Sequence, residues 1–307
     1  MLEIQENVPL APLTTFQIGG LSRYFAKAVT VKEIKEAIRW AREHVVPFAI
    51  LAGGSNVLIA DEGYDGLVIQ VASSQFSFDN QTMTADAGCN LLSLIREAAS
   101  RGLGGWEKLA GIPGTIGGAT RGNAGAFGTE IKDVATRVCA LHRNTLEERD
   151  FTAEACAFAY RTSFFKSHPE WVITSVEVGL AKINPQELAR LTEETIAERE
   201  KRHLQNVRAA GSYFMNPIAR AEIVEMFERE KGVKAREGRV PAGWLIEKAG
   251  MKGAMVGGAM ASLQHPNYLV NATGTATASD VRALAEKIKS AVQGQFGVEL
   301  HEEAAIL

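Results

Sequence analysis

GIPGTIGGATRGNAGAFG, residues 111–128, places seven of the chain's 29 glycines in one stretch whose only charge is Arg121. Glycine reaches positive φ and lets backbone N–H groups approach a ligand with no Cβ in the way. Glycines clustered in an ordered segment therefore point to main chain wrapped around an anion. A flexible linker is the competing reading. Linkers are rich in Ser, Pro or charge, whereas here Ile112, Ile116, Ala119, Ala124, Ala126 and Phe127 alternate with the glycines and call for burial.

Outward from this segment the chain falls into three compositional regions. The first, to about residue 68, has an extended start and an apolar-periodic helix (Val31, Ile34, Ile38, Ala41) capped by Thr30. The strand PFAILAGGSNVLIA (47–60) follows, with glycines at its centre, giving a βαβ-like pattern. The second region alternates short strands (GLVIQVA, TMTADAG, WVITSVEVGL) with a helix over Leu91 to Ala99. Asn184 and Pro185 then open a charged helix through Arg202 whose stripe of Leu188, Leu191 and Ile196 is narrow enough for a connector between domains. The third holds a helix over Ala219 to Lys231 stopped by Gly232, the segment AGWLIEKAGMKG, strand-like YLVN, and a Ser279-capped helix facing inward through Val281, Leu284, Ile288 and Val292.

Composition excludes several classes. At 307 residues, 46% hydrophobic and 22% charged, the chain has an ordinary globular make-up with room for two or three domains. A net charge of -3 and pI near 6.1 give no electrostatic footprint for nucleic acid or an acidic membrane surface. The opening MLEIQENVPLAPL lacks a basic start followed by an apolar stretch, and no apolar run is long enough to span a bilayer, so a cytoplasmic location is expected. Cys89, Cys139 and Cys156 form no CxxC pair and read as buried thiols in a reducing compartment. The histidines make no HExxH, so no metal is expected.

No GxGxxG joins the first strand to a helix, and no glycine run ends in GK[ST], which removes the Rossmann and P-loop sites. What remains is three glycine-bearing elements, TTFQIGG (14–20), AGGSN (52–56) and 111–128. Together with YRTSFF, AGSYFMNP, AGWLIEKAGMKG and SLQHPNYLVN, in this order and nearly end to end, PFAILAGGSNVLIADEGYDGLVI and LAGIPGTIGGATRGNAGAFGTEIKDV make the chain resemble the UDP-N-acetylenolpyruvoylglucosamine reductase family. The resemblance implies an α+β protein, a three-domain FAD-binding fold of the PCMH/vanillyl-alcohol-oxidase type with a C-terminal α+β substrate domain. It divides the chain into 1–68 (joined by the tail 301–307) and 69–196 for FAD, and 197–300 for a UDP-sugar. It also implies non-covalent FAD, NADPH as hydride donor and a monomer.

Under this resemblance the flavin is held by Ala52, Gly53, Gly54, Ser55, Asn56 and Val57 from one cluster. Gly111, Gly114, Thr115, Gly118, Asn123, Ala124 and Gly125 hold it from the other. Ile112, Ile116, Ile50 and Leu51 suit an apolar slot for its ring. Asn216, Gln264, His265 and Asn267 fall in the substrate segments. Ser212 aligns with the proton donor. Arg161 and Glu303 align with the pair that stabilises negative charge growing on the substrate carboxylate, Glu303 only when protonated.

The chain also departs from the family. Met215 stands where a lysine is usual before Asn216 and Pro217, leaving Lys201, Arg202, Arg208 or Arg220 to compensate. Glu302 stands where proline is frequent, so the register of the carboxylate is open by one residue. The interval from Arg161 to Ser212 has no room for an extra tyrosine-bearing loop, which defines a compact subtype. Two other readings stay open: an oxidase of the vanillyl-alcohol type, which would tether FAD through a histidine that neither glycine cluster contains, and a non-catalytic flavin-binding module.

Overall fold

The computed structural model describes residues 2–201 and 207–307. Strands β1 (Gln5–Pro9) and β2 (Leu21–Ala28) precede helix α1 (Val31–Glu43), followed by β3 (Phe48–Leu51), β4 (Val57–Leu58) and β5 (Tyr64–Val71). Next come β6 (Phe76–Asp79), β7 (Thr82–Asp86), α2 (Leu91–Ser100), β8 (Leu103–Gly104), α3 (Ile116–Arg121), β9 (Gly125–Ala126) and β10 (Thr129–Glu130). β11 (Ala135–His142), β12 (Glu148–Thr152), α4 (Phe164–Ser167), β13 (Trp171–Gly179), β14 (Ala181–Lys182) and α5 (Pro185–Lys201) complete the first two thirds. The remainder is α6 (Ala221–Lys231), α7 (Ala242–Lys248), β15 (Met255–Val256), β16 (Ala259–Ala261), β17 (Leu269–Asn271), α8 (Ala278–Phe296) and β18 (Ala305–Ile306).

The chain forms two compact units, each discontinuous in sequence: 2–8, 22–53 and 64–201 in the first, 9–21, 54–63 and 207–307 in the second. The first unit carries two sheets. One, in the order β1-β2-β5-β3, sets β5 as a parallel partner of both β2 and β3, with Ala26 and Ile50 both opposite Ile69. A central parallel strand is covered on both faces, which is why GLVIQV reads as an almost unbroken apolar run. Thr30 accepts from the Glu33 amide as the N-cap of α1, and Ile34, Ala37, Ile38 and Ala41 are buried against the sheet. Each isoleucine so buried contributes roughly 1.5–3 kcal/mol. The second sheet is antiparallel, in the order β12-β11-β13-β7-β6, and Asn90 caps the adjacent α2.

Three expectations need correction here. The stretch 47–60 is two strands rather than one, because Gly54 at φ +63 turns the chain between β3 and β4. The charged helix α5 is no bare connector. It belongs to the first unit, buries Leu188, Thr192 and Arg199, and is ion-paired to α2 through Arg96 and Glu193 at 2.9 Å. Leu191 and Ile196 are only half-buried, and Arg202 lies outside the described residues. The cysteines are free, Cys89 and Cys156 buried and Cys139 half-buried. Burial pushes the Cys89 and Cys156 thiols up to about 11, so they are inert at neutral pH.

In the second unit β15, β16 and β17 form an antiparallel sheet, and Val281, Leu284, Ile288 and Val292 of α8 pack into one core with Trp244, Leu245 and Leu269. Phe16, Ile18 and Leu58 join this core, and β18 pairs in parallel with β4. The N-cap of α8 is Thr277, not Ser279: Thr277 and Asp280 form a reciprocal capping box. Ser279 lies in the first turn, where its amide and hydroxyl donate to Asp61 at 2.9 and 2.8 Å, beside the Ala278 amide at 2.6 Å.

Partial burial pushes the Asp61 carboxyl up, but these three donors outweigh it and hold the carboxyl below its ordinary value. A carboxyl lowered on folding stabilises above its unfolded pKa of about 4 and loses that contribution as pH falls through the lowered value. Asp61→Ala is therefore expected to cost about 1 kcal/mol at pH 7, the usual worth of a cap. In chemical denaturation followed from pH 7 to 3, the gap between variant and wild type should close.

Candidate active site

Within the first unit the two glycine clusters meet. A Cβ on Gly53 would lie 2.8 Å from the Gly114 Cα and 3.3 Å from the Thr115 Cγ2, so the two segments touch backbone to backbone. On Gly118 a Cβ would meet only Thr115 Oγ1 at 3.5 Å and Ala52 Cβ at 3.8 Å, leaving its outer face open to solvent. Among the described residues neither the Gly53 nor the Thr115 amide has an acceptor. Other amides of the segment are already used: Gly118 donates to Thr115 Oγ1 at 3.3 Å, Ile116 to Cys89 and Gly117 to Ala87. A shelf of exposed main chain with donors to spare fits the pyrophosphate of FAD, with Gly53 and Thr115 as the available donors and Gly118 giving clearance.

Not all expected contacts lie on that shelf. Ile116 and Leu51 are closed into the core, whereas Ile50 and Ile112 keep part of their surface. Gly111 is buried at φ +79. Asn123 is fully buried: its amide donates to Glu130 Oε2 at 2.9 Å and the Ala159 carbonyl at 3.0 Å, and accepts from the Lys132 amide at 3.0 Å. Its role in this geometry is to tie chain segments together. Ala124 accepts from the Ile131 amide. Gly125 and Glu130 pair across a hairpin turned by Phe127 and Gly128, both at positive φ, and the Gly125 carbonyl accepts from Arg161 Nη2 at 3.0 Å. A Cβ on Gly125 would fall 2.7 Å from Glu130 Cγ and 3.4 Å from Arg161 Nη1, which is the physical need for glycine there.

Arg161 itself sits at φ +56, a conformation that costs a bulky residue roughly 1–3 kcal/mol. A tight turn imposes it, with Ala159 and Thr162 exchanging both backbone hydrogen bonds and Lys166 Nζ donating to the Arg161 carbonyl at 2.9 Å.

Gly54, Ser55, Asn56 and Val57 belong to the second unit, as do Ser212 and Glu303. Ser212 is half-buried and follows Gly211 at φ +70. The segment it opens runs antiparallel to the C-terminal tail: Glu303 donates its amide to the Tyr213 carbonyl at 2.8 Å, and Met215 donates to His301 at 2.9 Å. The tail is held in turn by Asn56, whose side chain donates to the Glu303 carbonyl at 3.4 Å and whose own carbonyl accepts from Ala305 at 3.1 Å. Ser212 and Glu303 are thus registered on adjacent segments, while Arg161 belongs to the first unit. Glu302 is salt-bridged to Lys289 at 3.0 Å, a cation that also holds Glu286.

The expected substrate residues separate into two kinds. Asn267 is 2% exposed and bonded to the Phe214 main chain, and Asn216 accepts from the Ala242 amide at 3.0 Å. Gln264 is exposed, and His265 is half-buried edge-on to Tyr268. Of the candidate cations, Arg220 is exposed and donates through Nη2 to the Phe296 carbonyl at the end of α8 at 3.1 Å. Arg208 lies against Gly274, and Lys201 ends α5 exposed. The sequence reading missed Gly117, whose Cβ would fall 2.6 Å from that of Ala87. Only its place in the glycine run hinted at it.

An FAD-binding domain model matches residues 22–143, which include the glycine shelf, and the site thus defines an FAD-dependent oxidoreductase. A second model, the C-terminal domain of UDP-N-acetylenolpyruvoylglucosamine reductase, matches 202–307. The reductase of Mycolicibacterium gilvum is 36% identical over 99% of this chain and 96% of its own, and that of Pseudomonas aeruginosa is 36% identical over 98% of each. The crystal structure of the Thermus caldophilus reductase superposes with a TM-score of 0.78 at 31% identity, covering 100% of this chain and 99% of that one. The chain belongs to the UDP-N-acetylenolpyruvoylglucosamine reductase family. Among the described residues no helix is long and apolar enough to cross a membrane.

Proposed function

We propose that the chain reduces the enolpyruvyl ether of UDP-N-acetylglucosamine to UDP-N-acetylmuramate for peptidoglycan, as a cytoplasmic monomer using NADPH, with Ser212 as proton donor. The observation that carries this reading is the seating of Ser212 and Glu303 on paired segments of one unit. When bound, FAD would take two electrons from NADPH and supply them as hydride to the substrate's methylene carbon. The neighbouring carbon then bears negative charge shared with its carboxylate and needs a proton.

Ser212 delivers that proton. A hydroxyl is a weak acid in water, but a strongly basic carbanion at hydrogen-bond distance takes its proton readily, and serine forms no competing salt bridge. Arg161 meets the substrate carboxylate with forked donors, and its strained turn and the Gly125 carbonyl hold the guanidinium in one direction. Glu303, in its protonated form, is assigned as a hydrogen-bond donor to the negative charge that develops on the substrate. Glu303 is preferred over its neighbour because Glu302 is occupied by its ion pair with Lys289 at 3.0 Å.

Ala52, Gly53, Gly114, Thr115 and Gly118 are proposed to hold the pyrophosphate, and Gly54, Ser55, Asn56 and Val57 are assigned to FAD as the continuation of the same motif. Asn216, Gln264 and His265 are assigned to the UDP-sugar. The division into 1–68, 69–196 and 197–300 is kept as a functional one, supported by the two separate sheets of the first unit.

The test is stopped-flow absorbance at the flavin band. Purified protein should be yellow with releasable FAD, bleach on NADPH and recover its colour on the enolpyruvyl UDP-sugar. Protein that bleaches yet ignores that substrate would sink the proposed activity.

A further inference from the structure

Phe214 is 1% exposed, and its main chain has a tail on one side only. In the antiparallel pairing with the tail, the residues that exchange hydrogen bonds are Tyr213 and Met215, so the N–H and C=O of Phe214 point to the opposite edge. Among the described residues no strand lies there. One asparagine side chain takes its place: Phe214 donates to Asn267 Oδ1 at 2.9 Å, and Asn267 Nδ2 donates to the Phe214 carbonyl at 2.8 Å. The Asn267 carbonyl adds a third bond, accepting from the Tyr213 amide at 2.7 Å.

On its other side, beyond Gly211, Ala209 and Ala210 are buried and the Ala209 carbonyl accepts from Thr15 Oγ1 at 2.7 Å. Gly211, at φ +70 with nothing within 4 Å of a would-be Cβ, separates Ser212 from that anchor. On the C-terminal side the two residues that follow Ser212 are the ones Asn267 grips.

We propose that Asn267 is a positioning residue for the serine: its carboxamide, acting as a one-residue strand, fixes the Tyr213–Phe214 peptides and through them the aim of the Ser212 hydroxyl. This rests on the proton-donor role proposed above. An aim error of about 1 Å is enough to cost roughly 100-fold in a transfer that depends on near-contact geometry. A carboxamide is suited to the task because it donates and accepts at once in a fixed plane, and because removing it leaves both an N–H and a C=O buried without partners.

The test separates the two half-reactions. Asn267→Ala is expected to leave flavin reduction by NADPH within about twofold of wild type while slowing reoxidation by the enolpyruvyl substrate about 10- to 100-fold. Hydrogen exchange at the Phe214 amide should accelerate. The Ser212→Ala and Asn267→Ala changes combined should be no slower than Ser212→Ala alone, because a mispositioned donor cannot be lost twice.

Multiplicative losses in that double variant, or wild-type reoxidation in Asn267→Ala, would overturn the inference. A Ser212→Ala enzyme that reoxidises normally would instead overturn the proton-donor reading beneath it. Should Asn267→Ala not fold, Asn267→Asp decides. Its neutral acid both donates and accepts, whereas its carboxylate cannot donate to the Phe214 carbonyl. Reoxidation should then fall with rising pH along a limb absent from wild type, which carries Glu302, Lys289 and His265 unchanged. A profile identical to wild type would refute the positioning role.

Discussion

Ser212→Ala is expected to slow flavin reoxidation by the enolpyruvyl substrate by roughly 10² to 10⁴, the usual worth of a positioned acid, with flavin reduction by NADPH nearly intact. The asymmetry follows from where the proton is needed. Only the second half-reaction places charge on carbon, so only there does the loss of a donor raise a barrier.

Nothing adjacent can stand in. Tyr213 carries the neighbouring hydroxyl, but it is 2% exposed with its ring edge-on to Phe214, and burial pushes its phenol up to about 12. Ser212→Cys should retain part of the rate, because a thiol is also a donor of similar reach. Equal losses in both half-reactions would mean that the hydroxyl serves the fold. Ala and Cys variants indistinguishable from each other would mean that the donor is elsewhere.

The largest stability effect is expected at Gly54. A Cβ there would stand 2.0 Å from the Leu13 carbonyl oxygen and 2.9 Å from the Thr14 Cα, and φ at +63 is itself unfavourable for any side chain. Both obstacles are backbone, and the Thr15 amide is bonded to the Gly54 carbonyl at 3.0 Å, so the neighbours cannot retreat without breaking that contact. Overpacking and backbone strain together put Gly54→Ala at about 2–5 kcal/mol, against a total stability of about 5–15.

Gly294→Ala is the matched control. It lies inside α8 with nothing within 4 Å of the added Cβ and should stabilise by about 0.5–1 kcal/mol. Thermal midpoints moving in opposite directions would bear out the steric argument. A Gly54→Ala midpoint within a degree or two of wild type would show that the Leu13–Thr14 turn yields.

Much of the fold is legible in the sequence because its signals are local. Thr30 announces α1 by offering a side-chain oxygen to the amide three residues on, and the apolar run of β5 announces a strand. The reading fails where the decisive partner is far along the chain. Ser279 looks like a cap because its true partner, Asp61, is 218 residues away, and the local box of Thr277 and Asp280 does the capping.

Two asparagines likewise have their partners far along the chain. Asn123 and Asn267 stand in motifs that suggest ligand contact, yet their amides are bonded to Ala159 and Phe214, 36 and 53 residues distant. Spacing reveals that a segment is special but not whether a side chain faces a ligand or its own backbone. The run 111–128 reads as main chain approaching an anion, and in the structure three of its seven glycines, Gly114, Gly117 and Gly125, lie tight against Gly53, Ala87 and Glu130.

The discontinuous make-up of the second unit has a bearing on how the protein comes to be folded. Phe16, Ile18 and Leu58 belong to a core otherwise built from residues beyond 207, so these side chains leave the ribosome long before the surface that will cover them exists. Contacts this far apart in sequence make for slow, late assembly and a long exposure of apolar chain during synthesis. A gene fragment cut at the start of the C-terminal region would encode a polypeptide deprived of part of its own interior. Splicing 9–21 and 54–63 back onto it is the minimum for an autonomous piece.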